Sequence, residues 1–153
     1  MSQTQDREIT VTRVFDAPRE LVWEAWTKQD HLARWWGPKG FSITTREFHA
    51  APGGVWRFIM HGPDGTDYPN KIVFLEMEKP ERIVYVASDD NEENTGQFHT
   101  TVTFAEEGKR TALTMRLLFP TPEARDFAIK EYGAIEGGRQ TLDRLAALLA
   151  TLS

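Results

Sequence analysis

The sequence predicts an α+β fold in which a curved antiparallel sheet wraps a long C-terminal helix, with two short helices after the first strand. Three observations predict it. Short β-patterned runs, with turn signals about every ten residues, fill Ser42 to Phe119, as one antiparallel meander would. Apolar residues recur at helical spacing from Ala124 to Leu152. The run Arg34-Trp35-Trp36-Gly37-Pro38-Lys39-Gly40-Phe41 sets two adjacent tryptophans at a helix end. Neighbouring residues on a helix point about 100° apart, so one stripe cannot bury both rings. A second surface must receive the other: a long curved sheet, a cavity or a partner.

Ile9 to Phe15 alternates, with Ile9, Val11, Arg13 and Phe15 on one side, and reads as a strand. Asp16-Ala17-Pro18 opens a helix, with Asp16 as the expected cap and Pro18 in the first turn. Leu21, Val22, Ala25 and Trp26 form its stripe. Gln29 to Trp36 is a second short helix, stopped by Gly37-Pro38. Strands follow at Ser42 to Phe48, Val55 to Met60, Tyr68 to Met77, Ile83 to Ala87, Phe98 to Phe104 and Thr111 to Phe119. Pro52-Gly53-Gly54, Gly62-Pro63-Asp64-Gly65, Lys79-Pro80-Glu81 and Glu106-Glu107-Gly108-Lys109 are the turns between them. Asp89 to Gly96 reads as a polar, acidic loop. Thr121-Pro122-Glu123 caps the start of the C-terminal helix, which carries Gly137-Gly138 in its interior. A helix with such a stripe needs a sheet to bury it, and paired glycines help that sheet curve.

At 153 residues one domain spanning 1–153 is expected, with an ordered core over about 8–150. A chain of this length buries roughly 68–70% of its unfolded surface. The net charge of -5 argues against nucleic acid or an anionic membrane as the main partner, since phosphate contacts want a basic face. With Cys at 0 there is no disulfide, no thiolate metal site and no Cys nucleophile. Met1 to Glu8 is polar and lacks the apolar stretch of a signal peptide, and no window approaches the ~18 apolar residues of a membrane span. A cytoplasmic protein is expected, as a monomer or homodimer.

Several motifs then fall into a known order. Val14-Phe15-Asp16-Ala17-Pro18-Arg19-Glu20-Leu21-Val22-Trp23 comes first, then Trp35-Trp36-Gly37-Pro38. Gly53-Gly54-Val55-Trp56-Arg57-Phe58-Ile59-Met60 and Gly62-Pro63-Asp64-Gly65 follow. Pro80-Glu81-Arg82-Ile83-Val84, Thr101-Val102-Thr103-Phe104 and Leu142-Asp143-Arg144-Leu145 complete the series. From about Ile9 to Leu149 the chain resembles the family homologous to the activator of the heat-shock-protein-ninety ATPase. That family belongs to the START-like, helix-grip superfamily, also called SRPBCC and similar to the pollen-allergen fold. The resemblance implies an apolar cavity between the sheet and the C-terminal helix, and little about chemistry. One departure stands out: where such members carry Gly-Trp before the Leu-Asp motif, this chain has Gly138-Arg139.

The expected function is binding of a small apolar or amphipathic molecule in that cavity. The candidate ligand-contacting residues are Trp36, Trp56, Phe58, Met60, Phe74, Tyr85, Met115, Leu117, Tyr132, Ile135 and Arg139. Trp56, Phe58 and Met60 share one strand face and either line a cavity or pack as core. Met115 and Leu117 offer a second such face, methionine being adaptable. Tyr85 and Tyr132 could hold a polar group by their hydroxyls, with Arg139 near a mouth two turns from Tyr132. Trp36 supports the rim. If Trp56, Phe74 and Phe127 fill the space instead, a scaffold role gains.

Two other classes stay open. An enzyme of cyclase or hydrolase type would use a cavity acid or histidine, with His61, His99, Glu76 and Glu47 as the candidates. A co-chaperone-like module would show an exposed apolar patch. His31, His49, His61 and His99 have no i, i+4 pair for zinc, although Asp64 and Asp67 lie close to His61 in sequence. No catalytic residue, metal or cofactor is assigned.

Overall fold

Residues 7–37, 39–89, 98–132 and 134–152 are described by a computed structural model, without the side chains of 89, 131, 132 and 134. The chain runs β1 (Glu8–Phe15), α1 (Arg19–Thr27), α2 (Gln29–Trp35), β2 (Ser42–Phe48), β3 (Val55–His61), β4 (Asp67–Glu78), β5 (Arg82–Asp89), β6 (Phe98–Glu107), β7 (Arg110–Leu118), α3 (Pro122–Tyr132) and α4 (Ala134–Leu152). The seven strands form one antiparallel sheet in the order β1-β7-β6-β5-β4-β3-β2. The first strand therefore pairs with the last, Val11 opposite Met115, and β1 and β2 are the two edges.

Turn chemistry sets the register. After β3, Gly62 donates its N–H to Thr66, Gly65 returns one to Gly62, and the Asp64 carboxylate accepts from the Thr66 N–H. This five-residue connection brings His61 opposite Asp67. Gly54 is required by close approach: a Cβ there would lie 2.1 Å from the His49 carbonyl oxygen. The backbone can come that near only without a side chain, and it lets Gly53 and Gly54 bond Phe74 on β4. The β4–β5 turn contains a cis Lys79–Pro80 peptide. Between β6 and β7 the hairpin is tighter than expected, because the strands run on to Glu107 and Arg110 and leave Gly108-Lys109 as the turn.

Two helix expectations need correction. Asp16 does not cap α1. Pro18 occupies that position in an extended conformation, and its carbonyl accepts from Leu21 and Val22, with no side-chain cap. The Asp16 side chain instead stays 89% exposed, with a loose ion pair to Arg110. The single helix expected over 124–152 is two, α3 ending at Tyr132 and α4 beginning at Ala134. The apolar period runs through both, and both pack on β1, but among the described residues only α4 of the two reaches the core. Arg125 of α3 donates to the Glu8 carbonyl on β1, while α4 buries Leu142, Leu145, Leu148 and Leu149 in the core. Thr121 does cap α3, accepting from the Ala124 N–H at 3.0 Å. The acidic loop expected from Asp89 to Gly96 lies, from 90 on, outside the described residues.

The core lies between the inner face of the sheet and helices α1, α2 and α4. Trp23, Trp26, Phe104, Ile83, Val102 and Leu113 are buried there with the leucines of α4. Burial of this apolar area stabilises the fold at ~25 cal/mol per Å². Arg144 of α4 adds a polar tie. Its guanidinium donates to the carbonyls of Arg34, Trp36 and Gly37 at 3.0, 3.3 and 2.9 Å. Those carbonyls close α2 and have no intrahelical partner, so a cation on a neighbouring helix satisfies them.

Candidate functional site: an aromatic core and a β1–α4 cleft

The tryptophan pair divides as adjacency on a helix requires. Trp35 points back at α1, where it is fully buried and its Nε1 donates to the Ala25 carbonyl at 2.9 Å. Trp36, just past the helix end, points at the sheet. Its ring meets those of Trp56 at 5.0 Å, Phe58 at 6.2 Å and Tyr85 at 6.4 Å, as well as Trp26 at 5.6 Å. Trp56 stacks on Phe58 at 4.1 Å and donates to Thr45 Oγ1. Phe48 and Phe74 complete the group.

Of the residues expected to contact a ligand, Trp36, Trp56, Phe58, Phe74 and Tyr85 are thus brought together, and they pack on one another. Trp56 is 1% exposed and Phe74 4%, so at this end the space between sheet and helices is filled. Met60 and Met115 are partly buried against the same core. Leu117 is half-buried on β7, opposite Ile9 and Thr100. Phe127, expected as a filler, is 56% exposed on α3. The side chain of Tyr132 lies outside the described residues.

Tyr85 has its phenol held well above the usual tyrosine range because burial penalises the phenolate. The Thr100 hydroxyl opposite opposes this only slightly, and Thr100 Oγ1 makes no well-formed hydrogen bond of its own among the described residues. The arrangement keeps a neutral hydroxyl in an apolar wall.

Ile135 and Arg139 are brought together elsewhere. They line a cleft of about 170 Å³ between β1 and α4, with Thr10, Val11, Thr12, Arg13 and Leu142. Three causes place it. The helix crosses β1 closely at Gly138, where a Cβ would stand 3.7 Å from Val11 Cγ2. Arg13 sits in the inward series Ile9, Val11, Arg13, Phe15. Its guanidinium lies 5.8 Å over the Phe15 ring and pairs with Asp143 of α4. The edge of β1 is open to the cleft: the Arg7 carbonyl bonds Phe119 within the sheet, while the Glu8 carbonyl turns outward to Arg125. Alternation along an antiparallel strand then turns the N–H and C=O of Thr10 and Thr12 outward as well. Arg139 is mostly exposed and reaches Glu136 only at 4.0 Å. Val11, Arg13 and Leu142 were not singled out in the sequence as ligand contacts. Arg13 carried a signal, a charge within an apolar strand face.

The enzyme candidates do not converge inside. Glu47 pairs with Arg57, Glu76 with Arg82, and His99 is exposed on β6. His61 is on the outer face of the sheet, opposite Asp67 and beside Thr44. Among the described residues no group of three or more His, Asp or Glu comes together as a metal site. None of their helices is long and apolar enough to cross a membrane. The exposed large apolar residues, Val14, Tyr68, Leu75 and Phe127, lie on β1, β4 and α3.

A seven-stranded antiparallel sheet closed over a C-terminal helix defines a START-like, helix-grip protein. The chain belongs to the family of Activator of Hsp90 ATPase homolog 1-like proteins, whose family model matches residues 16–150. A crystal structure of a Chromobacterium violaceum protein is similar, with 29% identity, 94% of this chain and 96% of that one covered, and a TM-score of 0.82. A solution structure of an Arthrobacter aurescens protein shares 26% identity over 99% of this chain and 90% of its own, at a TM-score of 0.88. A Mycobacterium smegmatis protein at 24% identity, covering 100% and 97%, has the same fold at a TM-score of 0.88. No curated protein matches.

Proposed function

We propose that this protein binds a small amphipathic anion, a short carboxylic acid in its simplest form, in the cleft between β1 and α4. One observation carries the reading: Arg13, which is paired with Asp143, and the mostly exposed Arg139 line one cleft together with the apolar side chains of Val11, Ile135 and Leu142, beside an open strand edge. A guanidinium holds a carboxylate with two parallel charge-assisted hydrogen bonds. The outward N–H groups of Thr10 and Thr12 are further donors. The apolar residues then take the alkyl part, at ~0.8 kcal/mol per buried CH₂.

The volume limits the ligand. About 170 Å³ is well under the ~300–1,000 Å³ of drug-sized sites, so the bound part is short. Charge-assisted bonds of about 1.5–3 kcal/mol must supply much of the affinity. A Kd on the order of 10⁻⁵–10⁻³ M follows. Arg139 is the more available of the two cations, because surface pairs at such distances contribute only ~0–1 kcal/mol and yield to a better anion.

Native mass spectrometry of the purified protein tests for a co-purifying acid, followed by thermal shift against matched carboxylates, alcohols and amines. A saturable rise with the carboxylates alone supports the reading. Equal responses to all three, or no response to any together with no bound mass, would sink it.

A further inference from the structure

On the outer face of the sheet, away from the cleft, three side chains from three strands stand in a hydrogen-bonded row. Asp67 Oδ1 on β4 lies 2.7 Å from His61 Nδ1 on β3. His61 Nε2 lies 2.7 Å from Thr44 Oγ1 on β2. The register holds them there: His61 pairs with Asp67 across β3–β4 and with Ser42 across β2–β3, and Thr44 follows Ser42 on the same face. A carboxylate only accepts, so Asp67 takes the Nδ1–H and fixes the tautomer. Nε2 is left as the acceptor for the Thr44 hydroxyl. The imidazole is partly open to solvent, its side chain 35% exposed, and Thr44 is exposed.

Hydroxyl, imidazole and carboxylate in this order, at these distances, are the elements of an activated oxygen nucleophile, which is recognised by geometry rather than by sequence position. We infer that Thr44 is a reactive hydroxyl that accepts an acyl group from small activated esters. Thr44 Oγ attacks the acyl carbon and its proton passes to His61 Nε2. The new Oγ–acyl bond forms as the ester C–O bond breaks. The departing oxygen takes the proton back from the imidazolium, and Asp67 remains a carboxylate throughout. An ester and a threonine become an acyl-threonine and an alcohol. The row stands on an open sheet face rather than in a pocket, so donors are selected by leaving group and small size: aryl esters of short acids.

The test is to incubate the full-length protein with p-nitrophenyl acetate, follow intact mass, and map the label by peptide sequencing. The expected result is one acetyl group on Thr44, with labelling slowed about 10²-fold in His61→Gln and Asp67→Asn. Thr44→Ser should retain the reaction and Thr44→Val lose it, each variant checked for unchanged circular dichroism. Acetyl groups spread over lysines and hydroxyls without preference for Thr44 would overturn the inference. So would a label that rests on His61, or a Thr44 that reacts as fast in His61→Gln as in the parent chain.

Discussion

Trp36 joins helix to sheet, its ring meeting those of Trp26 on α1, Trp56 on β3 and Tyr85 on β5. Trp36→Ala should therefore cost about 3–5 kcal/mol by urea unfolding, the range for large aromatic truncations in cores. Tyr85 makes a separate prediction in pH. Its phenol titrates higher in the folded chain than the ordinary value of 10.0. Above pH 10 the unfolded chain therefore sheds this proton while the folded chain keeps it, and stability falls as pH rises. The contribution is fully present below that point, so Tyr85→Phe should lose less stability than the parent between neutral pH and pH 11, as measured by the urea midpoint at each pH. At this scale the sequence was partly legible. Two adjacent tryptophans had to diverge, and period two had to turn Trp56 and Phe58 inward. Whether that inward face lined a cavity or a packed core was not legible, because it depends on how near Trp36 comes from another element.

Two arginines five residues apart on α4 show how position within an element decides a side chain's role. Arg144 is part-buried and donates to the last carbonyls of α2, and desolvation lowers its pKa below the ordinary arginine value. Arg139 projects from the same helix into the cleft and stays mostly exposed. Arg144→Met should cost about 1–2 kcal/mol, because it strips a charged donor from carbonyls that are part-buried at Trp36 and Gly37 and exposed at Arg34. Arg139→Ala should change stability by less than about 0.5 kcal/mol, as surface substitutions do. Paired thermal or urea melts of the two variants check both. The order of the elements was readable throughout, since periods of two and 3.6 alternate cleanly with turn residues. The division between α3 and α4 was not, because an apolar period reports which side is buried and not where one axis gives way to another. The pairing of His61 with Asp67 was within reach: a five-residue Gly-Pro-Asp-Gly-Thr turn sets the flanking residues opposite each other. Thr44 belongs to a different hairpin, and only the β2–β3 register brings it in.

Across the whole molecule, the order β1-β7-β6-β5-β4-β3-β2 puts the first strand at one edge with α4 crossing it. The aromatic residues of β3, β4 and β5 fill the opposite part of the inner face. A cleft lies at β1, where Gly138-Arg139 supplies a small residue and a charge. The same pair that departs from the family pattern lies at the crossing of helix and strand and borders the proposed site. The most direct test of that account is a methyl NMR titration of the protein with hexanoate, read at Val11, Ile135 and Leu142 and repeated in Arg139→Ala. Binding in the cleft gives saturable shifts at these three residues in the parent chain and a Kd weakened about tenfold or more in the variant, as loss of ~1.4 kcal/mol implies. Shifts centred instead on Ile72, Ile83 or Met115, or an affinity unchanged by Arg139→Ala, would contradict it.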